Sequence, residues 1–208
     1  MCGRYTLAVP ADQLVEAFDV GPLTFDFVPR FNIAPGQDAP VVAEDRRGRR
    51  IGLLRWGLVP GWMDEPGSGF INARAESVAR KPSFRDAFRR RRCLVPADGF
   101  YEWRSPEKQP FWIHPVAGDV VAFAGLWESW LRPGAEPRHT FTIITTDANA
   151  EVAPIHDRMP VVLERARWAD WLSRATDPAE LVGLLRPVPD GTFATRAVDR
   201  RVNRPAED

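Results

Sequence analysis

The chain has 208 residues, 44% of them hydrophobic, and balances 28 basic against 28 acidic side chains for a net charge of zero. That length fits one domain with a substantial core, so residues 1–208 are read as a single domain. Zero net charge gives no global attraction to nucleic acid, two distant cysteines make no disulfide framework, and no stretch approaches the roughly 20 apolar residues of a membrane helix.

In chain order, the first feature is Met1-Cys2-Gly3-Arg4. An initiator methionine is usually removed ahead of a small residue, so the mature chain is expected to begin at Cys2. A terminal cysteine carries a free amine and a thiol on adjacent carbons, with reference pKa values of about 7.7–8.0 and about 8.5. Such an aminothiol can capture an aldehyde: the amine forms a Schiff base and the sulfur closes a five-membered thiazolidine. The plainer alternative is an accidental cysteine in a frayed terminus. Arg4, Asp12 and Glu16 interrupt any signal-peptide core, which with the cysteine usage predicts a cytoplasmic protein.

Asp12 to Phe18 reads as a short helix with Leu14, Val15 and Phe18 apolar. Strands are expected over Ile51–Trp56, Cys93–Val95, Phe100–Trp103, Phe111–His114, Val120–Trp127, Thr140–Thr145 and Val161–Leu163. Helices are expected over Ser83–Arg91, with Ser83 as cap, over Ala166–Ser173, and after Asp177, with Pro178 at its first position. Twenty scattered prolines punctuate turns. Strands dominate the middle without regular βαβ alternation, so the predicted class is α+β: a mixed, largely antiparallel, β-barrel-like core decorated with helices.

Several segments combine residue types that carry chemistry. Trp62, in Trp56–Trp62, can stack on a base or join the core. Asn72 can orient a substrate hydroxyl or carbonyl, or merely satisfy a turn; Arg74 can clamp a phosphate. Arg74 to Arg92 holds eight basic residues against Glu76 and Asp86, either a solvated helix face or a phosphate-binding surface. Cys93 reads as a small core residue. Glu102, between Tyr101 and Trp103, is either desolvated by these aromatics, with a raised pKa suited to acid/base work, or turned to water by strand alternation. Pro154–Pro160 packs His156, Asp157 and Arg158 into one proline-bounded loop, where His156 is a structural residue or a proton shuttle tuned by Asp157. His114, His139 and His156 form no HExxH, and no metal or cofactor is called for.

The joint order of Met1-Cys2-Gly3-Arg4-Tyr5, Phe31-Asn32-Ile33-Ala34-Pro35, Arg55-Trp56-Gly57-Leu58-Val59-Pro60, Ile71-Asn72-Ala73-Arg74-Ala75-Glu76, Arg92–Trp103, Phe123–Glu128 and Ile155–Pro160 resembles the SRAP (SOS response-associated peptidase) family, the abasic-site processing proteins. The resemblance covers residues 1 to about 172. It implies binding of single-stranded DNA and a covalent thiazolidine link between the mature N-terminal cysteine and the ring-opened abasic sugar. It also implies roles: Cys2 as nucleophile, Asn72 in positioning, Glu102 as acid/base, and His156 in sugar ring opening. Arg4, Trp62, Arg74 and Arg158 fall to DNA contact. The implied partner is single-stranded DNA containing abasic sites; apart from the resemblance, no membrane or metal partner is expected, and the chain is expected to act as a monomer. A peptidase role is attached to the family, tied to removal of its own first residue. Phe31 stands where the family often has tyrosine.

Two rival readings keep the same residues. An N-terminal-nucleophile hydrolase of the glutamine-amidotransferase kind also begins Met-Cys-Gly, its thiol attacking an amide. A non-catalytic single-strand-binding module would use only the basic stretch and the tryptophans.

Overall fold

The computed structural model describes residues 2–65 and 67–207. Met1, whose removal the sequence predicts, lies outside the described residues. In chain order the elements are β1 (Tyr5–Leu7), α1 (Ala11–Phe18), β2 (Arg30–Ile33), β3 (Asp38–Asp45), β4 (Gly48–Trp56), β5 (Asn72–Arg74), α2 (Ala75–Val78) and α3 (Arg85–Arg90). There follow β6 (Arg92–Ala97), β7 (Gly99–Arg104), β8 (Gln109–Pro115), β9 (Val121–Trp130), β10 (Arg138–Asp147), β11 (Arg158–Pro160), β12 (Val162–Leu163), α4 (Trp168–Leu172), α5 (Pro178–Gly183) and β13 (Phe193–Ala197).

The strands form two sheets. One is antiparallel, in the order β13-β8-β7-β1-β2. In the other, β10 pairs with both β9 and β4, while β4-β3-β6-β9 run between them, so five strands close into a ring. Closure leaves those strands without an open edge. Two pairings, β10 with β4 and β10 with β5, are parallel, so the α+β class holds with a mixed sheet. Tyr5 and Phe100 from the first sheet meet Trp56 and Phe123 from the second, with Tyr5–Trp56 ring centroids at 5.3 Å and Phe100–Phe123 at 6.1 Å. Edge-on aromatic packing of this kind joins the two sheets into one core.

Each expected strand is present, extended by one to three residues at its ends or, for Val120–Trp127 and Val161–Leu163, started one residue later. Two expectations need correction. Ser83 does not cap α3: the cap position is Phe84, with no side-chain hydrogen bond. The expected helix over Ala166–Ser173 begins as a 3-10 turn, Arg165–Arg167, before α4. Asp177 does cap α5, accepting from the Ala179 N–H at 2.7 Å, with Pro178 at the first turn.

Gly57 and Gly69 pack backbone against backbone: a Cβ on Gly69 would lie 2.2 Å from the Gly57 carbonyl oxygen, and both φ angles are positive (+133° and +70°). Only glycine fits either place. Their contact seats the Leu58–Phe70 bridge and delivers the chain into β5, where Asn72 sits.

Candidate active site

Cys2 reaches the core because the first residues continue the β1–β7 ladder. Tyr5 pairs with Phe100, and the Tyr101 N–H donates to the Arg4 carbonyl at 2.9 Å. The same register carried onward sets Gly3 opposite Glu102, and Cys2 lies near enough for the Glu102 charge to act on its thiol. Cys2 is 0% exposed, and Asn72 Nδ2 donates to its carbonyl at 2.8 Å. Asn72 is held by β10, paired with Ile143, and its Oδ1 is buried without a hydrogen-bond partner among the described residues. Such an acceptor is costly to leave unmatched. The turn-only reading of Asn72 therefore does not describe it.

Glu102 is 2% exposed and faces the core with Phe100. Tyr101 and Trp103 lie on the opposite face, where the Tyr101 hydroxyl donates to the Phe31 carbonyl and Trp103 Nε1 donates to Asn203 Oδ1. Both sequence alternatives need correction: Glu102 does not face water, and the flanking aromatics do not desolvate it. Its own inward position does, and burial pushes its carboxyl up to about 7, with the Asp157 carboxylate acting in the same sense. Burial likewise pushes the Cys2 thiol up, with Glu102 adding to it.

His156 arrives from the other side, in the loop between β10 and β11. The Ala148 N–H donates to the Asp157 carbonyl at 3.0 Å and closes this loop. His156 Nε2 lies 4.0 Å from Glu102 Oε2, beyond direct hydrogen bonding but close enough for both to touch one substrate oxygen off their line. Its Nδ1 meets two partners at 2.9 Å, the Arg158 backbone N–H and Asp157 Oδ1. The N–H suits the neutral ring and the carboxylate suits the imidazolium, so each charge state has a partner at one nitrogen. Burial lowers the imidazole pKa. Burial thus favours the uncharged form of each group, a protonated carboxyl that can give a proton beside a neutral imidazole that can take one.

The four expected DNA contacts fall in different surroundings. Trp62 is 62% exposed, and Arg74 is exposed with no ion pair among the described residues. Arg4 is half-buried, donating to Asn32 Oδ1 at 2.6 Å and facing the Trp103 ring. Arg158 is clasped by carboxylates: Nη1 and Nη2 donate to Glu76 at 2.7 and 3.1 Å, and Nη1 also donates to Asp147 at 2.6 Å. Burial alone would lower its pKa; these carboxylates outweigh that and hold it above the usual range. Of the basic stretch, Arg92 is buried and donates to the carbonyls of Phe88, Arg89, Trp171 and Ser173, and Arg91 pairs with Glu128 at 2.6 Å. Those two are structural, whereas Arg74, Arg80, Lys81, Arg85, Arg89 and Arg90 are exposed. Sequence reasoning missed Glu76 and Asp147 as partners of Arg158, although Glu76 closes the Asn72–Glu76 segment it singled out. Among the described residues no group of three His, Cys, Asp or Glu could hold a metal, and no helix is long and apolar enough to cross a membrane.

Comparison with known proteins follows the same lines. Residues 1–205 match the family described as SOS response associated peptidase (SRAP). The Bacillus subtilis abasic site processing protein YoqW is 40% identical over 213 residues, covering 99% of this chain and 95% of that protein. The Gallus gallus abasic site processing protein HMCES is 33% identical over 202 residues, covering 79% of this chain and 60% of that protein. A solved Bacteroides thetaiotaomicron protein superposes with a TM-score of 0.89 at 24% identity, covering 96% of this chain and 93% of that one. A phage-related protein of Bordetella bronchiseptica superposes at 0.75 with 31% identity, covering 96% and 95%.

Proposed function

The chain belongs to the SOS response associated peptidase family, and on that premise we propose that it captures abasic sites in single-stranded DNA by forming a thiazolidine at Cys2. The observation that carries the reading is the convergence of Cys2, Asn72, Glu102 and His156 from the segment ahead of β1, from β5, from β7 and from the β10–β11 loop. Hydrolysis of the bond after Met1 frees the Cys2 amine, the one peptidase step the scheme requires. His156 moves the anomeric hydroxyl proton to the sugar ring oxygen, and the ring opens to an aldehyde. The amine nitrogen attacks that carbonyl carbon. Glu102, near its pKa, protonates the departing hydroxyl, which leaves as water. This leaves a protonated imine and an ionised Glu102; the Cys2 sulfur then adds to the imine carbon as its proton returns to Glu102, and the nitrogen is left neutral. Aldehyde and aminothiol become thiazolidine and water, without oxidant or reductant. Asn72 holds the Cys2 carbonyl, and its unmatched Oδ1 suits a sugar hydroxyl.

A thiol kept neutral by burial does not compete with the amine, which sets the order of attack. It also disfavours the amide-hydrolase reading, because that chemistry needs a thiolate of lowered pKa. Intact mass after incubation with uracil-excised single-stranded DNA tests the proposal. The protein should gain the oligonucleotide mass less one water; no gain at any pH near neutrality ends it.

Arg74 and Trp62 are the exposed groups proposed to meet the strand, Arg74 at a phosphate and Trp62 at a base. Arg74→Gln should weaken binding to intact and abasic strands alike. With one phosphate fewer neutralised, the log–log salt dependence should also flatten by about 0.7. A fluorescence anisotropy titration across a salt series measures this, and an unchanged slope takes Arg74 off the binding surface.

A further inference from the structure

Arg158 carries five guanidinium hydrogens, and four are already spoken for. Nη1 donates to Glu76 Oε1 and Asp147 Oδ1; Nη2 donates to Glu76 Oε2 and to the Thr145 carbonyl at 2.7 Å. Nε is buried and has no partner among the described residues, so no ligand reaches it from solvent. The two-pronged contact with Glu76 is the geometry in which a guanidinium also receives a phosphate. Glu76 and Asp147 are themselves half or more exposed, while Arg158 is 13% exposed. One cation between two carboxylates leaves the cluster with net negative charge. A strand phosphate approaching it meets repulsion and finds the arginine occupied.

We propose that Glu76 is a built-in competitor for the strand: its carboxylate fills the phosphate seat on Arg158 and so sets how tightly single strands bind. The inference rests on the single-strand reading above and adds a residue that works against affinity. Glu76 follows Arg74 by two residues, across the turn from β5 into α2. One short segment thus presents an exposed cation for a first phosphate and a carboxylate that withholds a second cation. Strand binding then involves an exchange, in which phosphate oxygens replace Glu76 at the Nη edge and Glu76 swings to water. Such an exchange moderates binding to intact strands, which a protein that reacts only at a lesion must release.

The test is strand affinity in Glu76→Gln, Arg158→Gln, the double variant and Arg74→Gln, measured by anisotropy with an intact oligonucleotide at several salt concentrations. Glu76→Gln should bind on the order of fivefold tighter, the effect of one unit charge a few Å away in a hydrated site. Its log–log slope should steepen by about 0.7, as one more phosphate is neutralised. The gain should vanish when Arg158→Gln is added. Unchanged or weaker binding by Glu76→Gln, with Arg74→Gln still weakening it, overturns the competitor role and leaves the strand reading standing. A wild-type protein with no affinity for single strands overturns both. Glu76→Gln retains one acceptor for Arg158; should it still unfold on a thermal scan, Asp147→Asn replaces it. That variant removes the other carboxylate, and the same rise in affinity is expected; a fall there overturns the proposal equally.

Discussion

Wild-type protein mixed with an abasic single strand should give an adduct that survives heating in detergent, and Cys2→Ala should give none. The Ala variant keeps a terminal amine once Met1 is removed, so a Schiff base can still form, but without sulfur the imine has nothing to close it. Borohydride should therefore trap a product from Cys2→Ala that vanishes when the reductant is omitted. Cys2→Ser closes only an oxygen ring and should yield a weaker, heat-labile product. The buried setting of Cys2 sharpens the expectation: its carbonyl is fixed by Asn72, so sulfur and nitrogen are delivered together. The active preparation should have the intact mass of a chain beginning at Cys2. A heat-stable adduct from Cys2→Ala at wild-type yield would place the bond at another amine and sink the thiazolidine scheme. Active protein that retains Met1 would do the same.

The site was legible in the sequence as residue types, and much less as geometry. Strand alternation places Glu102 on the face opposite Tyr101 and Trp103, but parity alone does not say which face is buried. Two aromatics outvote one carboxylate in any count of apolar neighbours, yet they are the outward pair here. Their polar ends are tied outside the site, Tyr101 to the Phe31 carbonyl in β2 and Trp103 to Asn203 in the C-terminal segment. β1, β5 and β11 have three residues each, too few for a period to show, and they are the strands that bring in the Cys2 segment, Asn72 and Arg158. The longer strands β4, β9 and β10 announced themselves, but closure of the ring through β10 rests on pairings between distant segments. Arg158 was visible as a cation. Its engagement with Glu76, 82 residues away, was not, because nothing local records a partner at that distance. Arg92 shows the reverse: the fourth of four consecutive arginines reads as surface charge, and the fold buries it against carbonyls that end α3.

Glu102→Gln and His156→Ala should separate the two proton-transfer roles. His156 is assigned to sugar opening, so its loss should slow capture of a closed abasic sugar and matter far less for a small aldehyde with no ring. Glu102 is assigned to imine formation and closure, so its loss should slow both substrates, by roughly 10²–10⁴-fold for a positioned acid/base. With the carboxyl near 7, wild-type rates should change through that pH, and Glu102→Gln should lose the inflection. The same burial predicts an opposite effect on stability. The carboxyl rises from 4.5 to about 7 in the folded chain, so its protonation favours folding. That contribution is complete below the unfolded value and is lost as pH climbs through about 7. At about 1.4 kcal/mol per unit the loss reaches about 3 kcal/mol. Glutamine cannot ionise, so Glu102→Gln should melt above wild type near pH 8 and alongside it near pH 4, while reacting more slowly. Quenched gel assays with both substrates and thermal melts across pH read the two effects. Equal slowing of both substrates by His156→Ala contradicts ring opening. A Glu102→Gln protein that reacts like wild type and melts below it at high pH shows a carboxylate that holds the fold together and moves no proton.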